Sequence, residues 1–177
     1  VSTAPDLRSH IQDVPDFPRP GIVFKDITPL LLDAQALESA VDELAAYARA
    51  REVQYVVSAE ARGFVLGGAV AVASGAGFVL ARKPGKLPRA VATEEYELEY
   101  GLDALEVHAD ALTGGARVLV HDDLLATGGT AAALCRLVEQ AGGEVVGCAF
   151  LVELASLGGR DRLEGRHVHS LVTYEGE

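Results

Sequence analysis

Basic residues are scarce in this chain. Fifteen Lys and Arg stand against twenty-six Asp and Glu over 177 residues, a formal net charge of −11. That balance excludes general binding to nucleic acid or to an anionic membrane, and it means that any anion site here must be a local construction. Cysteine is scarcer still, with only Cys135 and Cys148. They fall in an expected helix and an expected strand, which argues against a disulfide scaffold and for two buried, reduced thiols in a cytoplasmic protein. No apolar run reaches the roughly 20 residues of a membrane span. The most apolar long stretch is 64–73, and the polar first ten residues hold no apolar signal region. His10, His108, His167 and His169 are dispersed, and no Cys/His ligand spacing appears, so no protein-built metal centre is expected. A GxSxG elbow, a GxxxxGK[ST] loop, a GxGxxG fingerprint, internal repeats and linkers are all missing. What remains is 49% hydrophobic and 23% charged, a soluble globular composition. The length suits one domain with a real core, taken as 1–177.

The most informative stretch is 118–130. Val118, Leu119 and Val120 form a short apolar run of the kind found in a buried strand. His121 follows, then the acid pair Asp122 and Asp123, then Leu124 and Leu125. Next comes a small, hydroxyl-bearing loop, Ala126, Thr127, Gly128, Gly129 and Thr130. Leu134, Leu137, Val138 and Ala141 then recur at helical spacing. Such a loop points backbone N–H groups at a ligand, and the helix dipole adds positive potential, so it suits a phosphate. The two acids would repel a phosphate that they touched. They suit sugar hydroxyls or a Mg²⁺ ion beside it, so the ligand reads as a phosphorylated sugar.

Along the rest of the chain, residues 7–14 suit a short helix. Residues 15–27 hold three prolines and a glycine, which forbid a helix, yet are rich in apolar side chains. They form either a surface strap or a pocket wall. Asp33 is a plausible N-cap for a helix to about residue 51, with Leu37, Val41, Leu44, Ala45 and Ala48 on one face. A strand at 53–58 passes through a short polar loop into a helix at 64–74. That helix is apolar all round and so should be covered on both sides, with Gly67 and Gly68 allowing close packing. Arg62 stands near its N-terminus, where an anion would lie. A strand at 78–81 leads into Arg82, Lys83, Pro84, Gly85 and Lys86, either a solvated turn or an anion site. Residues 87–111 are dense in acids and alternate about Tyr96, Leu98 and Tyr100, then Leu105 and Val107. This reads as a hairpin or a long flap standing off the core, a candidate lid. Gly142 and Gly143 mark a helix end, and strands are expected at 117–121, 145–152 and 168–172, with a loop or helical turn at 153–163. Alternating β and α elements imply an α/β fold, a largely parallel sheet covered on both faces, with ligands at the C-terminal strand ends.

The 118–130 segment resembles the phosphoribosyl-pyrophosphate (PRPP) motif of the type I phosphoribosyltransferases. Residues 16–27 (DFPRPGIVFKDI), 62–64 with 82–88 (RKPGKLP), 98–101 (LEYG) and 151–160 narrow the resemblance to the adenine branch of that family. It runs in unbroken order from about 11 to 174. The resemblance implies the type I fold, with a central mainly parallel sheet flanked by helices. It also implies a flexible hairpin flap at about 87–111 and a small N-terminal base-binding hood at about 11–30. The implied reaction is adenine plus PRPP giving AMP and pyrophosphate, in purine salvage, with Mg²⁺ held mainly by PRPP and near Asp122 and Asp123 through water. Carried over, Ala126, Thr127, Gly128, Gly129 and Thr130 hold the 5′-phosphate, and Asp122 and Asp123 the ribose hydroxyls. Arg62, Arg82 and Lys86 match positions near pyrophosphate, some reaching across a dimer interface. The backbone of Val23 and Lys25 matches positions that read the adenine edge, and Phe24 and Leu124 those that sandwich its ring. Glu99 and Tyr100 match flap residues brought over the reacting centre, Glu99 as the carboxylate that handles the N9 proton. A homodimer and a cis peptide between Glu60 and Ala61 are also implied.

Three positions depart from the family pattern. His121 stands where an apolar residue is usual, which suggests a structural role facing the sheet layer or a subunit contact. Lys25 replaces a frequent Arg, and Glu60-Ala61 varies an acidic-Ser pair. A phosphoribosyltransferase for hypoxanthine or xanthine is the near alternative, but it needs a donor to O6, and residues 153–157 offer no lysine. A PRPP-binding regulator usually adds a DNA-binding module, for which this acidic chain has no room. A non-enzymatic scaffold is disfavoured by the Glu99-Tyr100 pair and the basic turn.

Overall fold

A computed structural model of the protein describes residues 5–97, 101–112 and 114–176. Its centre is a five-stranded sheet of β3 (Tyr55–Ala59), β4 (Gly77–Ala81), β7 (Arg117–Leu125), β8 (Glu144–Leu154) and β9 (Val168–Tyr174). The order is β4-β3-β7-β8-β9 and every neighbouring pair is parallel. Both faces are covered, as a Val-rich parallel sheet requires. One face packs on α2 (Ala34–Ala50) and α3 (Arg62–Ser74), through Leu44, Ala48, Val56, Val70 and Leu119. The other packs on α4 (Gly129–Gln140), through Val57, Val118, Val120, Leu134 and Leu137. The α/β expectation therefore holds. The chain leaves β3 in one direction toward β4 and returns on the other side as β7, so the sheet order reverses between β3 and β7. Ligand sites in such sheets lie at this reversal, beyond the C-terminal strand ends.

Local chemistry accounts for the helix ends. The Asp33 carboxylate accepts the N–H groups of Gln35 at 3.0 Å and Ala36 at 2.9 Å, capping α2 as expected. Gly142 adopts φ of +84° just past α4, the left-handed stop that glycine makes inexpensive. A short helix α1 (Thr28–Leu32) precedes α2 and was not foreseen.

Several expectations need correction. The 7–14 stretch is a 3-10 helix only at Leu7–His10. It then becomes β1 (Gln12–Pro15), paired antiparallel with β2 (Val23–Asp26), because the apolar residues here serve a hairpin rather than a helical stripe. α3 is not covered all round: Val65 is 50% and Val72 84% exposed. Nor is the expected glycine pair the one that brings α3 close to the sheet. A Cβ on Gly67 would lie 2.4 Å from Ser58 Oγ, and one on Gly63 2.8 Å from Asp122 Oδ1, whereas one on Gly68 meets nothing within 4 Å.

The largest correction concerns the acidic segment. It is a hairpin, β5 (Val91–Glu97) and β6 (Leu102–His108), as read, but it does not stand off the core. Tyr96, Leu105 and Val107 are buried in the same cluster as α4 and β7. Its acids pair with the body: Glu94 with Arg136 and Gln140, and Asp103 with Lys83. The backbone of Arg82 bridges that of Glu106. Leu98, Glu99 and Tyr100 lie outside the described residues. Cys135 and Cys148 are buried free thiols, 3.7 Å between Sγ atoms. No helix among the described residues is long and apolar enough to cross a membrane.

Candidate active site

β7 is longer than its apolar run. Pairing with β8 continues through Leu124–Val152 and Leu125–Glu153, so Asp122 and Asp123 sit on the strand end and not in the following loop. The chain then turns at Gly128, with φ of +81°, and α4 starts at Gly129. A Cβ on Gly128 would fall 2.5 Å from the Gly159 carbonyl oxygen, so no larger residue fits this corner. The first amides of α4 lack helical partners, and Gly128, Gly129, Thr130 and Ala131 line the cavity beside β7, an arrangement suited to a phosphate.

That cavity holds about 210 Å³ and is lined by Arg62, Asp122, Asp123, Leu124, Thr127 and Thr130, with the glycines between them. A second hollow of about 240 Å³ shares Arg62, Asp122, Asp123 and Thr130 and extends to Glu60, Ala61, Lys83 and Asp103. The two form one trough across the β3/β7 reversal. A larger groove of about 550 Å³ lies between the hairpin and α4, meeting the first cavity only at Glu97 and Gly129.

Most of the charge in the trough is paired locally. Arg62 Nε lies 3.1 Å from Asp123 Oδ2, and its guanidinium stands 5.1 Å from the centre of the Phe24 ring. Asp123 donates its N–H to Asp122 Oδ1 at 2.9 Å. Burial, and then the charge of Asp123, push the Asp122 carboxyl well above its ordinary 3.8. Arg82 Nη2 is 3.2 Å from Glu60 Oε2. Glu60 also accepts the Lys83 N–H, and this bond more than any other interaction lowers its carboxyl. Burial alone would raise Asp103, but the Lys83 ammonium and the Ala104 N–H outweigh it and hold that carboxyl low. Tyr96 Oη donates to the same carboxylate at 3.2 Å.

The structure thus brings together Arg62, Asp122, Asp123, Leu124 and the loop Ala126, Thr127, Gly128, Gly129 and Thr130. Phe24 joins them through Arg62 and is braced edge-on by Phe17, with ring centres 5.2 Å apart. Val23 and Lys25 flank it on β2; Lys25 is buried, its ammonium 2.8 Å from Asp13 Oδ1. Arg82 and Lys86 line neither hollow: Arg82 stands behind Glu60, with which it pairs, and Lys86 is exposed. Glu99 and Tyr100 lie outside the described residues. Lys83, Glu60, Tyr96 and Asp103 line or brace the trough without having been singled out as site residues. The available signal was the hairpin pairing, which sets Asp103 opposite Tyr96. The Glu60–Ala61 peptide is cis. His121 is buried, its Nδ1 2.9 Å from the Ala149 carbonyl oxygen, and burial lowers it to about 4, so it is neutral near pH 7. Among the described residues no three His, Cys, Asp or Glu side chains are grouped to hold a metal ion.

Comparison with known proteins bears on this site. Residues 30–172 match the model of the phosphoribosyl transferase domain. An adenine phosphoribosyltransferase of Rubrobacter xylanophilus is 60% identical over 169 residues, 95% of this chain and 91% of that protein. The crystal structure of adenine phosphoribosyltransferase from Thermoanaerobacter pseudethanolicus superposes with a TM-score of 0.92 at 48% identity, covering 95% of this chain and 98% of the other. That of Saccharomyces cerevisiae, complexed with an imino-altritol bisphosphate and adenine, has a TM-score of 0.89 at 36% identity, covering 93% and 96%.

Proposed function

The chain belongs to the adenine phosphoribosyltransferases of the phosphoribosyl transferase family, and from this we propose that it transfers the 5-phosphoribosyl group of PRPP to N9 of adenine, forming AMP and releasing pyrophosphate in purine salvage. One observation carries the reading: the acid pair ending β7 and the glycine loop opening α4 share a single cavity with Arg62. A diol grip beside a phosphate nest suits a phosphorylated pentose and little else.

In this reading the amides and hydroxyls of 126–130 hold the 5′-phosphate, and Asp122 and Asp123 accept from the ribose hydroxyls. Adenine lies between Phe24 and Leu124, its edge read by backbone groups of Val23 and Lys25. N9 attacks C1 of the ribose as the C1–O bond to pyrophosphate breaks and its electron pair leaves with the pyrophosphate oxygen. Positive charge grows on the ribose, which carboxylates at its hydroxyls, Asp122 and Asp123, would favour. Arg62, Arg82 and Lys86 stabilise the departing charge. The N9 proton passes to the Glu99 carboxylate, with Tyr100, the next residue in the chain, as its companion. A closing flap would exclude water, which would otherwise hydrolyse PRPP. The buried hairpin base argues against the whole 87–111 segment moving as one flap.

Mg²⁺ fits the donors present. Asp122 and Asp123 are hard oxygen ligands that share one arginine, and Asp122 is an acid in want of positive charge. Bound with PRPP, the ion would lie near these two carboxylates and neutralise leaving-group charge. A homodimer is supported by Val65 and Val72, apolar side chains that α3 leaves uncovered. Residues 1–177 are taken as one domain, and the cytoplasm as its place, which suits its two free thiols.

The test is incubation with Mg²⁺, PRPP and each purine base in turn, following nucleotide formation. AMP from adenine, with little product from hypoxanthine or xanthine, is expected. Product from hypoxanthine alone, or PRPP binding without turnover, would overturn the assignment.

A further inference from the structure

β9 ends at Tyr174, and this ring carries more than its own strand. Arg8 Cζ lies over it at 4.4 Å from the centroid, and Lys25 Nζ at 4.2 Å. Arg8 belongs to the 3-10 helix before β1 and also donates to the Thr173 carbonyl. Lys25 belongs to β2, where it faces Asp13 of β1 in register. The Lys25 side chain is only 3% exposed. An ammonium so removed from water needs countercharge, which Asp13 supplies at 2.8 Å, and the negative face of the Tyr174 ring adds to it. The N-terminal segment is thus tied to the end of the central sheet at this ring, beside the Arg8–Thr173 bond.

The tie bears on the walls of the base site. Phe24, one wall, is the chain neighbour of Lys25 on the small hairpin. Leu124, the other, is on β7, in register with Val152 of β8, and Leu154 of β8 is in register with Tyr174. Leu124 and Tyr174 pack against the same apolar cluster, which holds Leu7, Ile11 and Ile27 of the N-terminal segment. A slot for a flat heteroaromatic ring needs two walls at fixed separation, and here the walls belong to different sheets.

We propose that Tyr174 is a positioning residue for the purine base. By holding Lys25 and Arg8 it sets the spacing between Phe24 and Leu124, and so the width of the slot, without touching the base. The inference rests on the adenine-transfer reading above.

Steady-state kinetics on the full-length protein test it, with adenine and PRPP varied separately. Tyr174→Leu keeps apolar bulk but removes the π face; Tyr174→Phe keeps the face without the hydroxyl. Tyr174→Leu should raise the adenine KM roughly five- to thirty-fold. The PRPP KM and kcat should stay within about twofold, because the phosphate nest and diol grip lie on other elements. Tyr174→Phe, which keeps the ring beneath both cations, should raise the adenine KM far less than Tyr174→Leu. Adding Lys25→Met to Tyr174→Leu should cost less than the two separate losses combined, since both cut the same contact. If Tyr174→Leu does not fold, Lys25→Met and Arg8→Gln, which leave the ring in place, carry the same adenine-KM expectation. An unmoved adenine KM, a phenylalanine variant as damaged as the leucine one, or an equal rise in both KM values overturns the proposal. A parent protein that makes no AMP overturns the assigned reaction itself and is recognised before any variant is compared.

Discussion

Arg62 reaches two walls of the site at once: its Nε is 3.1 Å from Asp123 Oδ2, and its Cζ is 5.1 Å from the centre of the Phe24 ring. The planar guanidinium can bond a carboxylate edge-on while presenting its face to an aromatic ring; an ammonium cannot do both. Arg62→Lys should therefore raise the KM for both substrates. Arg62→Ala should weaken PRPP more, by roughly 10- to 100-fold, the usual worth of a charged hydrogen bond. Initial-rate measurements with each substrate varied will check this. A lysine variant with parental kinetics would show that only the charge matters.

Asp122 is an acid held in an unfavourable place. Burial and the neighbouring Asp123 raise its carboxyl well above 3.8. A carboxyl raised on folding loses stability as pH climbs from its unfolded value through its folded one, because the unfolded chain releases the proton first. Asp122→Asn removes that loss. The variant should melt higher than the parent at pH 7 to 8 without ligand, yet bind PRPP more weakly, a trade of stability against function. Thermal melts paired with PRPP titration will check it. A lower melting temperature across that pH range would mean that the carboxylate is stabilised by contacts that outweigh its burial.

Glu99 and Thr127 are assigned to different steps and should fail differently. Glu99→Gln keeps shape but cannot accept the N9 proton, so turnover should fall by roughly 10²- to 10⁴-fold with PRPP affinity little changed. Thr127→Val removes a hydroxyl from the phosphate nest, so PRPP affinity should fall with kcat largely kept. Direct PRPP binding measured beside kcat separates the two. Near-parental turnover in Glu99→Gln would remove the carboxylate from the proton step.

Much of this was legible in the sequence because it rests on short-range chemistry. The Val-rich strands, the Asp33 cap and the 118–130 loop each carry their signal within a few residues. What was missed depends on contacts distant in the chain. Asp103 reads as one more acid on a solvated hairpin until Lys83, twenty residues earlier, is placed beside it. Leu105 and Val107 alternate like any half-exposed strand, and nothing local tells that their apolar side meets α4. Cover of α3 was expected from its hydrophobicity for a related reason: Val72 is apolar yet 84% exposed, so apolar character around a helix does not by itself report what packs on it.

The hairpin base should behave as core. Leu105 is 1% exposed, whereas Leu102, at the start of the same strand, is 73% exposed. Leu105→Ala should cost about 2–5 kcal/mol of stability and Leu102→Ala less than about 0.5 kcal/mol. Urea denaturation with a shared m-value will check it. Equal, small losses at both positions would mean that the hairpin detaches without disturbing the sheet, restoring the picture of a free-standing lid.

His121, the departure inside the motif, has a measurable signature. It is in register with Ser58 across β3 and β7. Its Nδ1 is bonded to the Ala149 carbonyl, and its Nε2 finds no partner among the described residues. Burial lowers it from 6.5 to about 4, against a smaller opposing pull from that hydrogen bond and from Asp123. A histidine lowered on folding is neutral in the native state while the unfolded chain still takes up its proton. Its contribution is therefore intact above pH 6.5 and is lost as pH falls to about 4. A shift of this size corresponds to about 3 kcal/mol. His121→Val should remove that part of the acid slope, so the gap between parent and variant should shift in favour of the variant as pH falls. Because the imidazole lies beneath α3 and not in the trough, the pH dependence of kcat should be the same in both proteins. Denaturation at a series of pH values beside pH–rate profiles decides the matter. Parallel stability curves would show that protonation is not resisted, and a changed kcat profile would make His121 part of the chemistry.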